Sequence, residues 1–184
     1  MPAHPATPIG PRAGPASVAG VSDKSDVTIR PIEPADAGEV MTLQRAAFVQ
    51  EALIYGTPDM PPLTQTLEEV QSELEENLGV VAVDGARMVG ALRARVDGDL
   101  LLVGRIAIAP DRAGEGIGSA LLDAVERRGA DRGATEAELF TGSLSEANLR
   151  LYERVGYGET QRVPGDDGTE QVFLRKRLDP ERRG

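Results

Sequence analysis

The residues of this chain best suited to chemistry form a glycine-rich turn after its longest apolar segment. That segment, Leu100–Ala109, ends at Pro110, and Gly114, Gly116 and Gly118 precede a pattern of helical periodicity. Glycine lets a backbone approach a ligand closely, and the free N–H groups at a helix start favour an anion. The spacing therefore predicts a diphosphate-binding turn; the alternative is a tight turn without a ligand.

Two better-known phosphate motifs do not match this turn. The dinucleotide-binding pattern G-x-G-x-x-G requires a third glycine where Ser119 stands. The P-loop requires Gly-Lys-Ser/Thr, which does not follow the glycines. The predicted anion site is therefore of neither type.

The elements that position the turn follow from hydrophobic periodicity and from chain breakers. Strands are predicted at 27–30, 80–84, 88–96, 100–109 and 134–141, with a final hairpin from 157 onward and at 171–178. Helices are predicted from Pro34, from the capping-box pattern Thr66–Glu69, after the glycine turn and around Leu149. The segment Tyr55–Thr64 contains four breakers and is predicted to be a loop without helix.

This order, β-α-α-β-β-β-α-β-α-β-β, combines hairpins with β-α-β crossovers. It predicts an α/β (α+β) fold with a mixed, mostly antiparallel central sheet and helices on both faces. The 184 residues suffice for one packed domain, predicted at 27–180. Residues 1–26 are rich in Pro, Ala and Gly, and we expect a disordered tail; a Pro-rich recognition segment is the alternative.

Composition excludes several classes of function. Without cysteine the chain has no disulfide framework, no thiolate metal site and no acyl-cysteine intermediate, and its only histidine, His4, lies in the expected tail. We therefore expect no metal. The net charge of −10 argues against nucleic-acid binding. No apolar run approaches the roughly 20 residues of a membrane helix, and no secretory signal begins the chain, so we expect no membrane partner and a cytoplasmic location.

From Leu100 to Gly158 the chain resembles the GNAT superfamily of N-acetyltransferases. The resemblance rests on Arg105–Pro110, Gly114–Ser119 and Asn148–Tyr157, and Ile29–Asp36 is similar to the first strand and helix start of the family. It implies the GNAT acyl-CoA N-acyltransferase fold, acetyl-CoA (coenzyme A) as the cofactor, and direct transfer of an acetyl group to a primary amine. It also implies an acceptor that is a small molecule, a peptide or a protein, and the family habit of forming homodimers.

The resemblance also implies a role for individual residues. Ile106, Ala107 and Ile108 would lie along the pantetheine arm, where a backbone N–H would polarise the thioester carbonyl. Tyr152 matches the family tyrosine that protonates the departing thiolate; the alternative is a packing role for this ring. The diphosphate would be held by backbone N–H groups of the glycine turn, namely Gly114, Glu115, Gly116, Ile117, Gly118 and Ser119.

The chain departs from the family pattern at three positions. Ala113 stands where Gln or Arg often opens the loop, and Ser145 stands where an asparagine often helps to hold the cofactor. Asn148 is assigned to that second task, since it lies one helical turn before the tyrosine and on the same face. Phe140 stands where some members have a glutamate base. Glu138 shares that strand face but fits equally a solvated charge, so no base is assigned.

The sequence leaves the acceptor open. We expect the segment Tyr55–Thr64 to line the acceptor pocket, where Asp59 would suit a cationic amine or simply cap a turn. A second class of function also stays open, namely a sensor or interaction domain of the same fold that binds acyl-CoA without turnover. The presence of Tyr152 argues against this hypothesis, and the lack of an assigned base argues for it.

Overall fold

The computed structural model describes residues 27–165 and 168–179. The expected tail, residues 1–26, lies outside the described residues, as does residue 180 at the end of the predicted domain. The strands are β1 (Val27–Pro31), β2 (Leu78–Asp84), β3 (Arg87–Asp97), β4 (Leu100–Ile108), β5 (Glu136–Gly142), β6 (Gly158–Pro164) and β7 (Glu170–Arg177). The α-helices are α1 (Ala37–Tyr55), α2 (Pro61–Thr64), α3 (Leu67–Glu76), α4 (Ile117–Asp131) and α5 (Glu146–Arg154).

The strands form one sheet in the order β1-β2-β3-β4-β5-β7-β6. All neighbouring strands are antiparallel except β4 and β5, which are parallel and are connected through α4. A parallel pair requires such a crossover, whereas the antiparallel pairs β2–β3 and β3–β4 need only tight turns. The prediction of a mixed, mostly antiparallel sheet is confirmed.

Helices cover both faces of this sheet. Gly90 of β3 faces α4, and a Cβ at this position would lie 2.8 Å from the Ile117 side chain. Three residues along the strand, Arg93 reaches Gln44 of α1 and Glu73 of α3. Successive residues of a strand point to opposite faces, so α4 lies on one side and α1 with α3 on the other. Within the part of the chain that the structure describes, no helix has the length and apolarity to cross a membrane.

The core between these layers is aliphatic. Its largest fully buried apolar side chains come from both helices and central strands, namely Val40, Val70, Val80, Val81, Val89, Leu92, Leu101, Leu121, Leu122, Val125 and Leu174. Strands β2 and β3 are buried along most of their length, as expected for strands with helices on both faces. Strand β4 is the fourth of the seven strands and lies at the centre of this packed sheet.

The segment expected to be a loop contains helix. Helix α1 continues to Tyr55, and Pro61–Thr64 forms α2. The prediction of no helix here was wrong because proline is accepted in the first turn of a helix, where its missing N–H has no intrahelical partner. The N–H of Leu63 accordingly donates to the Met60 carbonyl at 2.8 Å.

Helix α3 begins where the capping-box pattern predicted. The Glu69 N–H donates to the Thr66 hydroxyl at 3.2 Å, and the Thr66 N–H donates to the Glu69 carboxylate at 2.8 Å. This reciprocal cap satisfies two N–H groups that a helix start otherwise leaves free. Two turns further on, α3 presents Glu73 to the sheet.

Candidate active site

The central feature of the site is a gap between β4 and β5. The two strands pair only over Leu100–Leu102 and Glu136–Glu138. Beyond these residues β4 continues to Ile108, whereas β5 stays paired with β7 as far as Gly142. The second half of β4 therefore has a backbone edge that no described strand occupies.

Alternation of the backbone shows which groups face this gap. The Ala109 N–H donates to the Val89 carbonyl of β3 at 2.9 Å. Because successive residues of a strand direct their N–H groups to opposite edges, Ile106 and Ile108 direct theirs into the gap and Ala107 directs its own to β3. Extended ligands bind at such open strand edges through main-chain hydrogen bonds. The assignment of these three residues to the pantetheine arm stays a prediction.

A bulge lies where β4 leaves β5. Gly104 pairs with Arg93 and Ala107 with Ala91, so β4 has one residue more than β3 between these pairs. Arg105, at the bulge, has a φ of 55° and is the one non-glycine residue of the described chain with positive φ. Such a conformation costs about 1–3 kcal/mol and often occurs at functional sites. Bulges bend a strand and redirect its side chains, here at the start of the gap.

The glycine turn has the geometry of an anion site. Gly114 and Gly116 have φ values of 86° and 84°, and neither has a heavy atom within 4 Å of where a Cβ would stand. Gly116 is the N-cap of α4, and the Ala120 N–H donates to its carbonyl at 3.1 Å. The N–H groups of the first turn of a helix have no intrahelical acceptor. The turn thus offers open space and free donors, which fits a diphosphate.

Side-chain charges beside the turn are already paired. Arg112 contacts the carboxylates of Asp84 at 2.6 Å and Glu115 at 2.7 Å, and these partners, Glu115 first, raise its pKa above the ordinary value. Arg87 contacts Asp111 at 2.7 Å. Both guanidinium groups already have carboxylate partners, so backbone N–H groups are the donors that the turn offers to an anion.

The third glycine of the turn, Gly118, lies where helix packing leaves little room for a side chain. A Cβ at Gly118 would lie 3.0 Å from the Leu151 side chain of α5, closer than ordinary contact. Gly118 therefore allows the first turn of α4 to touch α5 beside Tyr152. The neighbouring Ile117 side chain is buried in the core, so only its backbone can contact a ligand.

Tyr152 is buried, with 6% of its surface exposed. Burial raises the pKa of its hydroxyl above the ordinary value of 10.0, and the charge of the Glu51 carboxylate raises it further. A phenol with a raised pKa keeps its proton throughout the neutral range. Tyr152 therefore remains in the protonated form that a general acid requires.

A polar cluster joins α1 to the start of α5 near this tyrosine. The Glu51 carboxylate accepts hydrogen bonds from the Ser145 hydroxyl at 2.6 Å and from the Asn148 amide at 3.0 Å. The Tyr55 hydroxyl lies 3.1 Å from the Ser145 hydroxyl and accepts the Leu144 N–H at 2.9 Å. Asn148, predicted to hold the cofactor, thus contacts Glu51, and its role toward a cofactor stays a prediction.

Sequence reasoning missed Glu51. It lies 94 residues before Ser145, in a helix without a motif, so no local signal connects the two. Glu138, considered from its strand face, instead contacts Arg175 at 2.6 Å. The fold therefore brings a carboxylate to the site from a different element.

A cavity of about 380 Å³ opens beside the gap, on the face covered by α1 and α3. Charged and aromatic side chains form part of its wall, among them Glu73, Arg93, Arg105, Glu138, Phe140 and Phe173. The segment Tyr55–Thr64 does not line this cavity, and its contact with an acceptor stays a prediction. In residues 27–165 and 168–179, no three His, Cys, Asp or Glu side chains group closely enough to hold a metal ion.

The chain belongs to a known family. The model of the acetyltransferase (GNAT) family matches residues 40–157, well over half of the chain. Members of this family are acetyltransferases, and the match includes β4, the glycine turn and Tyr152. The resemblance inferred from the sequence motifs is confirmed.

The individual proteins to which the chain is similar share little sequence identity with it. The UPF0157 protein YqkA of Bacillus subtilis (strain 168) is 25% identical over 132 residues, 72% of this chain, but the chain spans only 37% of that protein. A solved aminoglycoside 6′-N-acetyltransferase complexed with coenzyme A is 19% identical, with a TM-score of 0.69 over 83% of this chain and 98% of the other. The PaiA N-acetyltransferase of Thermoplasma acidophilum, in complex with coenzyme A, is 15% identical, with a TM-score of 0.70 over 83% and 99%. At such identities the likeness establishes the GNAT fold.

Proposed function

We propose that this chain transfers an acetyl group from acetyl-CoA to a primary amine of a small molecule or peptide by direct attack. The observation that carries the proposal is the open edge of β4 beside a glycine turn with free N–H donors. Family membership supports the reaction class, and the two solved relatives complexed with coenzyme A support the cofactor.

Backbone groups of this chain would hold the cofactor. The N–H groups of Gly114–Ser119 would bind the diphosphate, and those of Ile106 and Ile108 would meet the amide groups of the pantetheine arm. Bound acetyl-CoA would supply the acetyl group as an activated thioester. The mechanism of the remaining steps depends on three groups of the chain.

The first two groups stabilise the transition state. An N–H of Ile106 or Ile108 directed into the gap would polarise the thioester carbonyl, a contribution of about 3 kcal/mol. The Tyr152 hydroxyl, which keeps its proton because burial raises its pKa, would give that proton to the departing sulfur. Much of the remaining rate comes from holding two reactants together.

The third group is Glu51, which we assign as the acceptor of the proton lost by the amine. A carboxylate has about four acceptor sites, and the bonds from Ser145 and Asn148 leave others free. Its charge raises the pKa of Tyr152, and its partner Asn148 lies one helical turn before Tyr152 in α5. In the transfer the amine nitrogen bonds to the carbonyl carbon while the carbon–sulfur bond breaks, and each proton has a destination.

A thiol-release assay with acetyl-CoA and a panel of primary amines tests this function. We expect free thiol only when a suitable amine is present, and calorimetry should show that acetyl-CoA binds without one. Tight binding with no thiol released for any amine would favour the acyl-CoA sensor instead. Failure to bind acetyl-CoA would contradict both functions.

A further inference from the structure

Two arginines in the wall of the cavity share a single carboxylate. Arg93 Nη1 lies 2.5 Å from Glu73 Oε2, a close ion pair. Arg105 Nη2 lies 3.8 Å from Glu73 Oε1, beyond hydrogen-bond distance. That second oxygen already accepts a hydrogen bond from Gln65 Nε2 at 2.5 Å. Glu73 therefore satisfies Arg93 and leaves Arg105 incompletely paired.

One nitrogen of the Arg105 guanidinium lacks a hydrogen-bond acceptor. This atom, Nη1, is buried and has no hydrogen-bond partner within the described residues. The side chain as a whole keeps 25% of its surface exposed and forms part of the cavity wall. Buried charged donors are normally paired, and a guanidinium matches a carboxylate through two parallel hydrogen bonds. The partly exposed Arg105 side chain therefore brings an incompletely paired positive charge to the cavity wall, where an anionic group would be favoured.

The cavity wall is positively charged around Arg93 and Arg105, whereas the chain as a whole is negatively charged. Burial lowers the pKa of Arg93, the Glu73 carboxylate raises it, and the neighbouring Arg105 charge lowers it again. The other carboxylate of the wall, Glu138, is engaged by Arg175. The chain carries a net charge of −10, so this positive spot is a specific feature of the cavity.

An apolar surface adjoins the two arginines. Phe140 is 58% exposed, and its ring centroid lies 5.6 Å from that of Phe173, which lines the same cavity. Ligand sites commonly combine apolar walls with a few polar groups that orient the ligand. These two rings would receive the apolar part of a small molecule whose charged end lies at the arginines.

We propose that this cavity binds a carboxylate of the amine acceptor at Arg105, with Arg93 behind it. The acceptor is then a small molecule that has both a primary amine and a carboxylate, such as an amino acid with an apolar side chain. The inference rests on the proposed transferase function. The position of Arg105 also supports the inference. Arg105 directly precedes Ile106, whose N–H faces the gap where the thioester would lie. The carboxylate would orient the acceptor and remain unchanged in the transfer.

Matched pairs of amines test the proposal. L-Phenylalanine is compared with phenethylamine, and ε-aminocaproate with pentylamine, since each second compound lacks only the carboxylate. We expect kcat/KM to favour the carboxylate-bearing member of at least one pair by about tenfold or more, and Arg105→Gln to lower that ratio by about tenfold or more. Equal or better use of the amines without carboxylate would overturn the proposal while the transferase function stands.

A control variant separates a specific site from general charge. Arg177→Gln removes the same charge from a side chain of β7 that is 93% exposed, lies 3.9 Å from Glu136 and does not line this cavity. We expect this variant to keep the parental ratio. An equal loss of ratio in Arg177→Gln and Arg105→Gln would contradict a carboxylate bound at Arg105.

A binding measurement separates the cavity from catalysis. Hydrocinnamate has the carboxylate and the ring but no amine, so calorimetry with coenzyme A present measures recognition without turnover. We expect binding to the parent and binding about tenfold weaker or more in Arg105→Gln, with melting curves to show that the variant folds. Arg105→Lys, which keeps the charge without the planar fork, should lie between them and serves if the Gln variant does not fold. No binding to the parent would overturn the carboxylate site. Binding without acetyl transfer to any amine would overturn the transferase function alone.

Discussion

At the scale of single residues, the proposed chemistry depends on two side chains from distant parts of the chain. Tyr152 in α5 is the proposed acid, and Glu51 in α1 is the proposed base. The Glu51 charge helps to keep the Tyr152 proton in place, because ionising a phenol next to a carboxylate is unfavourable. Each residue can be tested by a substitution that changes little in size.

Tyr152→Phe should damage chemistry far more than cofactor binding. A positioned acid typically contributes about 10²–10⁴-fold in rate, and kcat and kcat/KM should fall together on that scale. Acetyl-CoA affinity should hold, because backbone groups elsewhere bind the cofactor. Steady-state kinetics and calorimetry measure the two quantities.

The matched control for this variant is Tyr157→Phe. Tyr157 is also buried, and its ring lies 6.2 Å from that of Tyr152. It has no place in the proposed mechanism, so its variant should keep the rate. If Tyr152→Phe keeps kcat and melts earlier, Tyr152 is a packing residue and the acid assignment is wrong.

Glu51→Gln should lower kcat by about 10²–10⁴-fold, because an amide cannot take a proton from the amine. The same variant removes the charge that raises the pKa of Tyr152, so part of the tyrosine absorbance should titrate at lower pH. Glu39→Gln, on the exposed face of the same helix, is the control and should change neither quantity. A normal kcat with a lowered tyrosine titration would show that Glu51 acts on Tyr152 without serving as the base.

At the scale of elements, the site forms where β4, α4 and α5 meet. The bulge at Arg105 lies just after the last β4 residue paired with β5, and the contact between Gly118 and Leu151 brings the first turn of α4 against α5. The free N–H groups of α4, the open edge of β4 and Tyr152 are thus held by packed secondary structure. Sites on such rigid elements are positioned more accurately than sites on loops.

Gly116→Val tests the helix start against a matched position at the other end of α4. Gly116 and Gly133 have φ values of 84° and 95°, and both have open space where a Cβ would stand. Valine at either position should cost about 1–3 kcal/mol of stability through backbone strain. Only Gly116→Val should also weaken acetyl-CoA binding, by about 1.4 kcal/mol or more, a factor of ten.

Urea unfolding and calorimetry on both glycine variants measure these effects. Unchanged acetyl-CoA affinity in a folded Gly116→Val protein would refute the diphosphate assignment. Equal weakening in Gly133→Val would show that strain, rather than blocked access to the helix start, causes the loss.

At the scale of the whole molecule, the fold buries the side chains of Tyr152 and Tyr157. Burial is the main cause of a raised pKa at both hydroxyls, and the nearby carboxylates Glu51 and Glu126 add to it. In the unfolded chain both phenols return to the ordinary value of 10.0. The free energy of unfolding should therefore depend on pH in the alkaline range, where these phenols ionise.

The sign of this linkage follows from proton binding. Below about pH 10 both states keep the phenol protons, and above it the unfolded chain loses them first. Stability should therefore be complete below about pH 10 and then fall by up to about 1.4 kcal/mol per pH unit for each tyrosine. Urea unfolding across this range measures it, and Tyr152→Phe should show a shallower decline. An identical decline in both proteins would exclude Tyr152 as a cause.

Much of the fold could be predicted because its signals are local. Alternation and helical periodicity predicted the strands and the longer helices, and the glycine turn after the apolar strand predicted the anion site. Helix α2 was missed because Pro61 and Pro62 were taken as breakers regardless of their position, although the first turn of a helix accepts proline. The bulge at Arg105 has no local signal, since it arises from pairing with β3.

By itself, the sequence determined the order of the strands and the longer helices, the glycine turn and the segment that presents Tyr152, because steric preference and hydrophobic periodicity act between near neighbours in the chain. Only the tertiary structure decided that Glu51 meets Ser145 and Asn148, 94 and 97 residues away, and that Arg93 and Arg105 share Glu73. Contacts between such distant residues depend on how the sheet and helices pack as a whole. No local sequence pattern predicts which carboxylate or guanidinium will lie beside the gap between β4 and β5.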